Sequence, residues 1–352
     1  MTRAWWKVAL PAVAALAALT PLPPGLVERW YADRIYPVLQ PAVTSTTNAV
    51  PFALLDVMVA LAVAWLTWRA VARWRESGRS RVRRILRLLG DAIAGIAVAY
   101  LLFLVFWGLN YRRPGPESRF LVQRERVSNE RLVRIADHAT STINHLHRAE
   151  RATGTLEVTA VVRELRPAFL RAIEDLRMSW RPVGGRPKTS LIARLFPLAA
   201  VDGMMNPWAL EILLNPEVLP FERPFLIAHE WAHLAGHAGE SEASFVGWLA
   251  CLRAGRDAQY SAWLGVYLHI VRTLPPDEQT VSLEQLEAGP RRDLDAIRQR
   301  LMQARPSVQA ASWRVYDRYL RANRVRSGIA SYDEVVVLIL GSRFSIGHLP
   351  PP

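Results

Sequence analysis

Two stretches of this chain limit its fold before any other feature does. Pro51–Trp68 carries one charge, Asp56, and Ala92–Leu109 carries none. Each approaches the roughly 20 apolar residues with which a helix crosses a bilayer. Val8–Leu22 is a third apolar run. Behind the opening MTRAWWK it reads either as an uncleaved span or as a signal peptide with a positive n-region and a short h-region; the uncleaved span is preferred here, and both readings leave the rest of the chain in the same orientation. Arg69, Arg73, Arg75, Arg79, Arg81, Arg83, Arg84 and Arg87 face only Glu76 between the second and third runs. Such an arginine excess in a short loop marks the cytoplasmic side. The expected layout is a transmembrane region over residues 1–111, with spans at about 5–22, 50–69 and 90–110, followed by an extracytoplasmic domain over 112–352.

Hydrophobic residues make up 51 % of the 352, and the excess over a soluble protein lies in this first third. Much of the net charge of +13 belongs to the arginine-rich loop, where it meets anionic lipid headgroups. The other basic stretch, Arg181 to Arg194, lacks the interleaved aromatics of a base-stacking surface, so no nucleic-acid partner is expected. Cys251 is the single cysteine, which excludes an internal disulfide and a cysteine-built zinc cluster. Pro21, Pro23, Pro24 and Gly25 break the first helix, and Leu26–Val50 reads as an external loop of balanced charge.

The chemistry is concentrated in LIAHEWAHLAGHAGESEAS, Leu226 to Ser244. His229, Glu230 and His233 form HExxH: on a helix the two His residues project from one face and can grip a divalent ion, and Glu230 beside that ion can take a proton from water activated there. On the order of one chain in a hundred of this length carries those letters by chance, so the context matters. The helix around the motif is uncharged, as for a buried helix under a cleft, and Gly236 offers a stop. A third ligand is required, and Glu240 and Glu242 are both placed to supply it; Glu240, which starts an ExxA pattern, is favoured by a small margin. Ser244 is a candidate for orienting a ligand. His237 is out of register. His138, His145 and His147 are read as structural, since His145 and His147 cannot share a helix face.

Upstream, Ala209–Asn215 reads as a strand leading through Pro216, Pro220 and Pro224 to the metal helix. A strand edge of this kind holds an extended peptide by backbone pairing, and Glu211 and Asn215 share one of its faces. Helices are expected from Ser128 to Arg151, Leu156 to Trp180 and Phe245 to Leu274.

HEWAHLAG with ESEASF, WGLNYRR at the exit of the third apolar run, NPWALEILLN, and YLRANRVRSGIASYDEVV together resemble an uncharacterised bacterial family of three-span membrane proteins with an external HExxH domain. Where that family usually shows EANF, this chain has Glu242, Ala243, Ser244 and Phe245. The resemblance implies a zinc metallopeptidase of the cytoplasmic membrane, with Glu211, Asn215, Tyr319, Asn323, Ser331 and Tyr332 near the cleft. The expected fold is thus mainly α: three transmembrane helices and a largely helical zincin-like domain with a small β-sheet. The expected activity is peptide hydrolysis on envelope or secreted proteins, with one zinc per chain and Tyr332 or His269 as oxyanion donor. The rival expectation is a non-catalytic metal-binding membrane protein in envelope assembly, which a closed four-ligand site would favour.

Overall fold

The proline cluster after the first apolar run sets the geometry of the amino-terminal third. The protein is described here from a computed structural model covering residues 5–76, 80–148, 157–323 and 334–344. Helix α1 (Trp6–Leu19) stops at Thr20, because Pro21, Pro23 and Pro24 lack the N–H groups that would continue it. The chain bends by 114° and is helical again, through a π-helical stretch (Glu28–Ile35) into α2 (Tyr36–Ala49). The expected external loop is therefore a helix. Its buried stripe is Tyr36, Gln40, Thr44 and Thr47, mostly polar, so the apolar periodicity that announces a helix is missing.

Helices α3 (Leu54–Trp74) and α4 (Arg81–Phe106) are both long and apolar enough to cross a membrane, and α1 with its bent continuation makes up to a third such element. The helices meet at one charged level. Arg69 (2.6 Å) and Arg73 (2.9 Å), near the end of α3, and Lys7, at the start of α1, all reach the fully buried carboxylate of Asp91 on α4.

Beyond α4 the chain is helical around a small sheet. Helices α5 (Asn129–Arg148), α6 (Val158–Asp175), α7 (Arg223–Leu234), α8 (Glu240–Cys251) and α9 (Arg256–Thr273) form the body. Then come α10 (Pro276–Glu284), α11 (Ala288–Leu301), α12 (Pro306–Ala322) and α13 (Val335–Gly341). Strands β1 (Pro187–Lys188), β2 (Gly203–Asn206) and β3 (Glu211–Leu214) run in the order β1-β3-β2, with β1 parallel and β2 antiparallel to β3. The strand expected at Ala209–Asn215 is β3, but it is central; β2 is the outer strand beside α7.

The apolar sequence of α7 is explained by its surroundings. Trp231 is fully buried, packs edge-on against Phe169 (5.6 Å between ring centroids) and donates to the Gly185 carbonyl at 2.7 Å. The helix ends where Gly236 adopts φ +86°, with His237 N–H on the Ala232 carbonyl and Gly236 N–H on that of His233. This is the paired closure that a left-handed glycine permits. Every residue of α8 is buried. It crosses α7 at Gly247, where a Cβ would lie 2.9 Å from the His229 backbone nitrogen. That contact turns the face bearing Glu240, Ser244 and Gly247 toward the metal-type helix.

Candidate metal centre

Four residues apart on α7, His229 and His233 present their rings at 88° with centroids 4.8 Å apart. Glu240, the first residue of α8, aims one carboxylate oxygen between them: Oε2 lies 3.2 Å from His229 Nε2 and 3.5 Å from His233 Nε2. His229, His233 and Glu240 form a group able to hold a metal ion, their ligand atoms all within 4.8 Å of one another.

The far sides of both rings are occupied. His233 Nδ1 lies 2.8 Å from the His237 carbonyl, and Ser244 Oγ lies 3.2 Å from His229 Nδ1. A carbonyl only accepts, so His233 Nδ1 carries a proton, and Nε2 is the nitrogen that would give up its own proton to a cation. Tyr316 on α12 donates its hydroxyl to the other oxygen of Glu240. Replacing Ser244 by Ala should lower divalent-ion affinity by about 10- to 100-fold, the usual weight of an outer-shell partner, with the fold intact. Competition against a chromophoric chelator, alongside circular dichroism, checks both halves of that statement.

The charges within the site follow from burial and neighbours. Burial opposes a charged Glu240, but the two imidazoles overcome it and hold the carboxyl well below its ordinary range. Burial likewise opposes a charged His233, yet the Glu240 carboxylate raises it to about 9, while burial lowers His229. Glu230, beside them on α7, is raised to about 8 by burial, helped by the Glu240 and Asp202 carboxylates. Its Oε2 is buried with no hydrogen-bond partner. Gly203 of β2 makes room for it, since a Cβ there would sit 2.8 Å from Glu230 Oε1.

Glu242 faces elsewhere. Its carboxylate pairs with Arg119 and approaches His237 Nδ1 at 3.6 Å. Burial would raise it, but Arg119 brings it down to about 2; burial lowers His237 to about 4. Both folded values lie below the unfolded ones, so each group adds stability at neutral pH that disappears on acidification. The loss runs from about 6.5 toward 4 for His237 and from about 4.5 toward 2 for Glu242. Glu230, raised to about 8, has the opposite sign and offsets His237 between about pH 6.5 and 4.5, so melting temperature should fall below about pH 4.5. Glu242→Gln should make that fall shallower; an unchanged profile in this variant would contradict the pairing.

Other sequence candidates fall in different places. Glu211 is inside the sheet, where its oxygens accept from the Leu54 and Leu55 amides, Asn206 and Lys188, and this full set of bonds corrects the expectation that it serves the cleft. Asn215 is bonded to the Val201 carbonyl and the Glu217 amide at the end of β3, a turn-forming role. Tyr332 and Ser331 lie outside the described residues. Tyr319 packs between Tyr111 and Phe103 (5.8 and 6.0 Å), and Tyr267 bonds to Ser282 in the core. Tyr316 was not singled out from sequence; it lies one helical turn before Tyr319 and two before Asn323, on the face those residues mark.

The elements and the site together define a mainly helical protein with two or three helices fit to cross a membrane and a His-His-Glu group suited to a metal ion. A family model described as a protein of unknown function, DUF3810, matches residues 31–340. The chain belongs to that family. No curated protein and no solved structure matches it.

Proposed function

We propose that this protein is a membrane-anchored metallopeptidase holding one zinc ion per chain on His229, His233 and Glu240. The carrying observation is the convergence of two imidazole Nε2 atoms on one carboxylate oxygen, beside the buried, unpartnered oxygen of Glu230. Two nitrogens and one oxygen suit zinc and leave a coordination position open. Bound there, zinc supplies Lewis acidity, which makes water nucleophilic near neutral pH and polarises a peptide carbonyl.

The chain's own residues do the rest. Glu230, which burial raises to about 8 and a neighbouring cation would lower again, takes a proton from water at Oε2 in its carboxylate form and passes it to the departing amine. Tyr316 fixes the rotation of the Glu240 carboxylate, and His237 and Ser244 fix the two rings. The half-exposed start of the outer strand β2, Gly203 and Met204, offers backbone pairing to an extended substrate next to Glu230. The arginine-rich turn between α3 and α4 favours a cytoplasmic position, with the centre on the opposite side of a bacterial inner membrane. The zincin-like assignment of the outer domain is part of this reading.

The test is Glu230→Gln in full-length protein purified in detergent. It should keep one zinc per chain yet hydrolyse a quenched-fluorescent peptide library about 10³-fold more slowly than wild type. A variant as active as wild type would remove Glu230 from the reaction, and a well-folded wild type with no bound metal would sink the peptidase reading.

A further inference from the structure

Three connections tie the metal-ligating group to the apolar helices. Trp107, the residue after α4, donates its indole Nε1–H to the His233 carbonyl at 3.0 Å, and its ring meets the His233 imidazole edge-on at 6.1 Å. A ladder of rings runs from Phe103 inside α4 to Tyr319 (6.0 Å) and on to Tyr316 (6.0 Å), whose hydroxyl binds Glu240. Strand β2 makes the third connection. Its first residue, Gly203, lies against Glu230; just past its last, Trp208 donates to the carbonyl of Ala99 at 2.9 Å and packs on Phe103 at 6.2 Å. Ala99 lies about two turns below the end of α4. The outer strand and its turn therefore tie the surroundings of Glu230 to the side of an apolar helix.

Depth follows from helix length. Lys7, Arg69 and Arg73 gather at Asp91, the level at which charged side chains meet one headgroup layer. From Asp91 to the last residue of α4, Phe106, the rise is roughly 22 Å at 1.5 Å per residue. The hydrocarbon of a bilayer is about 30 Å thick. With Asp91 at one boundary, the opposite boundary reaches past Trp107 to the end of α7. Val98, Leu102 and Val105 are exposed along the upper part of α4 and offer it an apolar flank.

We propose that the centre takes polypeptides anchored in the same bilayer, with the segment next to the anchor reaching Gly203 and Met204, the half-exposed start of β2, and the bond to be cut within a few residues of the lipid boundary. This rests on the peptidase reading above. A soluble loop would have to be drawn down to the headgroups, whereas the segment leaving a membrane helix is already at that height.

The experiment uses full-length Glu230→Gln protein in lipid nanodiscs, so that substrate is held and not cut. Pro207→Cys, in the turn after β2, carries a benzophenone; the native Cys251 is fully buried and leaves the new thiol as the reactive one. The probe is a randomised ten-residue segment fused to one apolar membrane helix, compared with the same probe lifted by a rigid helical spacer of about 20 residues, roughly 30 Å. Both share one bilayer concentration. The unlifted probe should be captured at least about tenfold more, and wild-type protein should cut it close to the anchor, mapped by mass spectrometry. Equal capture of the two probes, capture of neither, or cut sites indifferent to the anchor would overturn the proposal. Preferential capture with no cutting by wild type would overturn the peptidase reading and leave the anchored polypeptide as the partner. A spin label on Pro207→Cys gives a second reading: nickel-chelate accessibility typical of bulk water would also overturn the proposal.

Discussion

Zinc falls from one ion per chain to below about a tenth of that when His233 is replaced by Ala, the expected result with the largest effect on the centre. Loss of an outer-shell partner already weakens metal affinity by about 10- to 100-fold, and His233 is itself a donor atom in a three-donor group. Among the described residues its Nε2 has no substitute: His237, four residues on, is turned away and engaged with Arg119 and Glu242. His229→Ala and Glu240→Gln should behave alike. Glu242→Gln should keep its metal while losing stability, because it strands Arg119, whose side chain is only 10 % exposed. Elemental analysis of the four variants beside their melting curves separates the two carboxylates. Retention of metal by Glu240→Gln with its loss in Glu242→Gln would transfer the third ligand and refute the geometry described here.

Glu211→Ala should produce the largest loss of stability, about 3–5 kcal/mol, the usual cost of removing one partner from a buried ion pair. The side chains of Glu211 and Lys188 are each 1 % exposed and 2.8 Å apart. The same carboxylate accepts from the first backbone amides of α3, so the variant also unties the sheet from that helix. Lys188→Met combined with Glu211→Gln should recover most of the loss, since no charge is left stranded and the amides keep an acceptor. A loss below about 1 kcal/mol in the single variant, measured by denaturation in detergent, would mean the pair is solvated.

What the sequence made legible was local in character. His229 and His233 lie one helical turn apart, so spacing alone fixes their common face with Glu230 beside it, and Gly236 marked the end of that helix correctly. Glu240 could be favoured over Glu242 only by a small margin on the same grounds. Which of them meets the imidazoles depends on where α8 begins and on Gly247, whose missing side chain sets the crossing with α7. Arg119, which draws Glu242 aside, belongs to a segment far upstream. Glu211 was noticed as a charge in an apolar strand, but its partner Lys188 sits on another strand. Helix α2 escaped because polar residues form its buried stripe: Gln40 and Thr44 bond to the carbonyls of Val183 and Leu210, and periodicity tuned to apolar side chains is blind to such a face. Tyr316 reaches Glu240 across 76 positions of sequence, a pairing that only the folded chain reveals.

Tyr36, Trp107 and Arg113 donate to the carbonyls of Leu234, His233 and Gly236 respectively. A helix leaves its last carbonyls without partners of its own, and here the closing turn at Gly236 is joined by donors from the first third of the chain. The amino-terminal region is thus not a generic tether. Grafting the residues after Arg113 onto a foreign anchor, or shedding them by cleavage there, would strip donors from the end of the very helix that carries both histidines. The amino-terminal helices and the candidate metal group are thus parts of one packed unit.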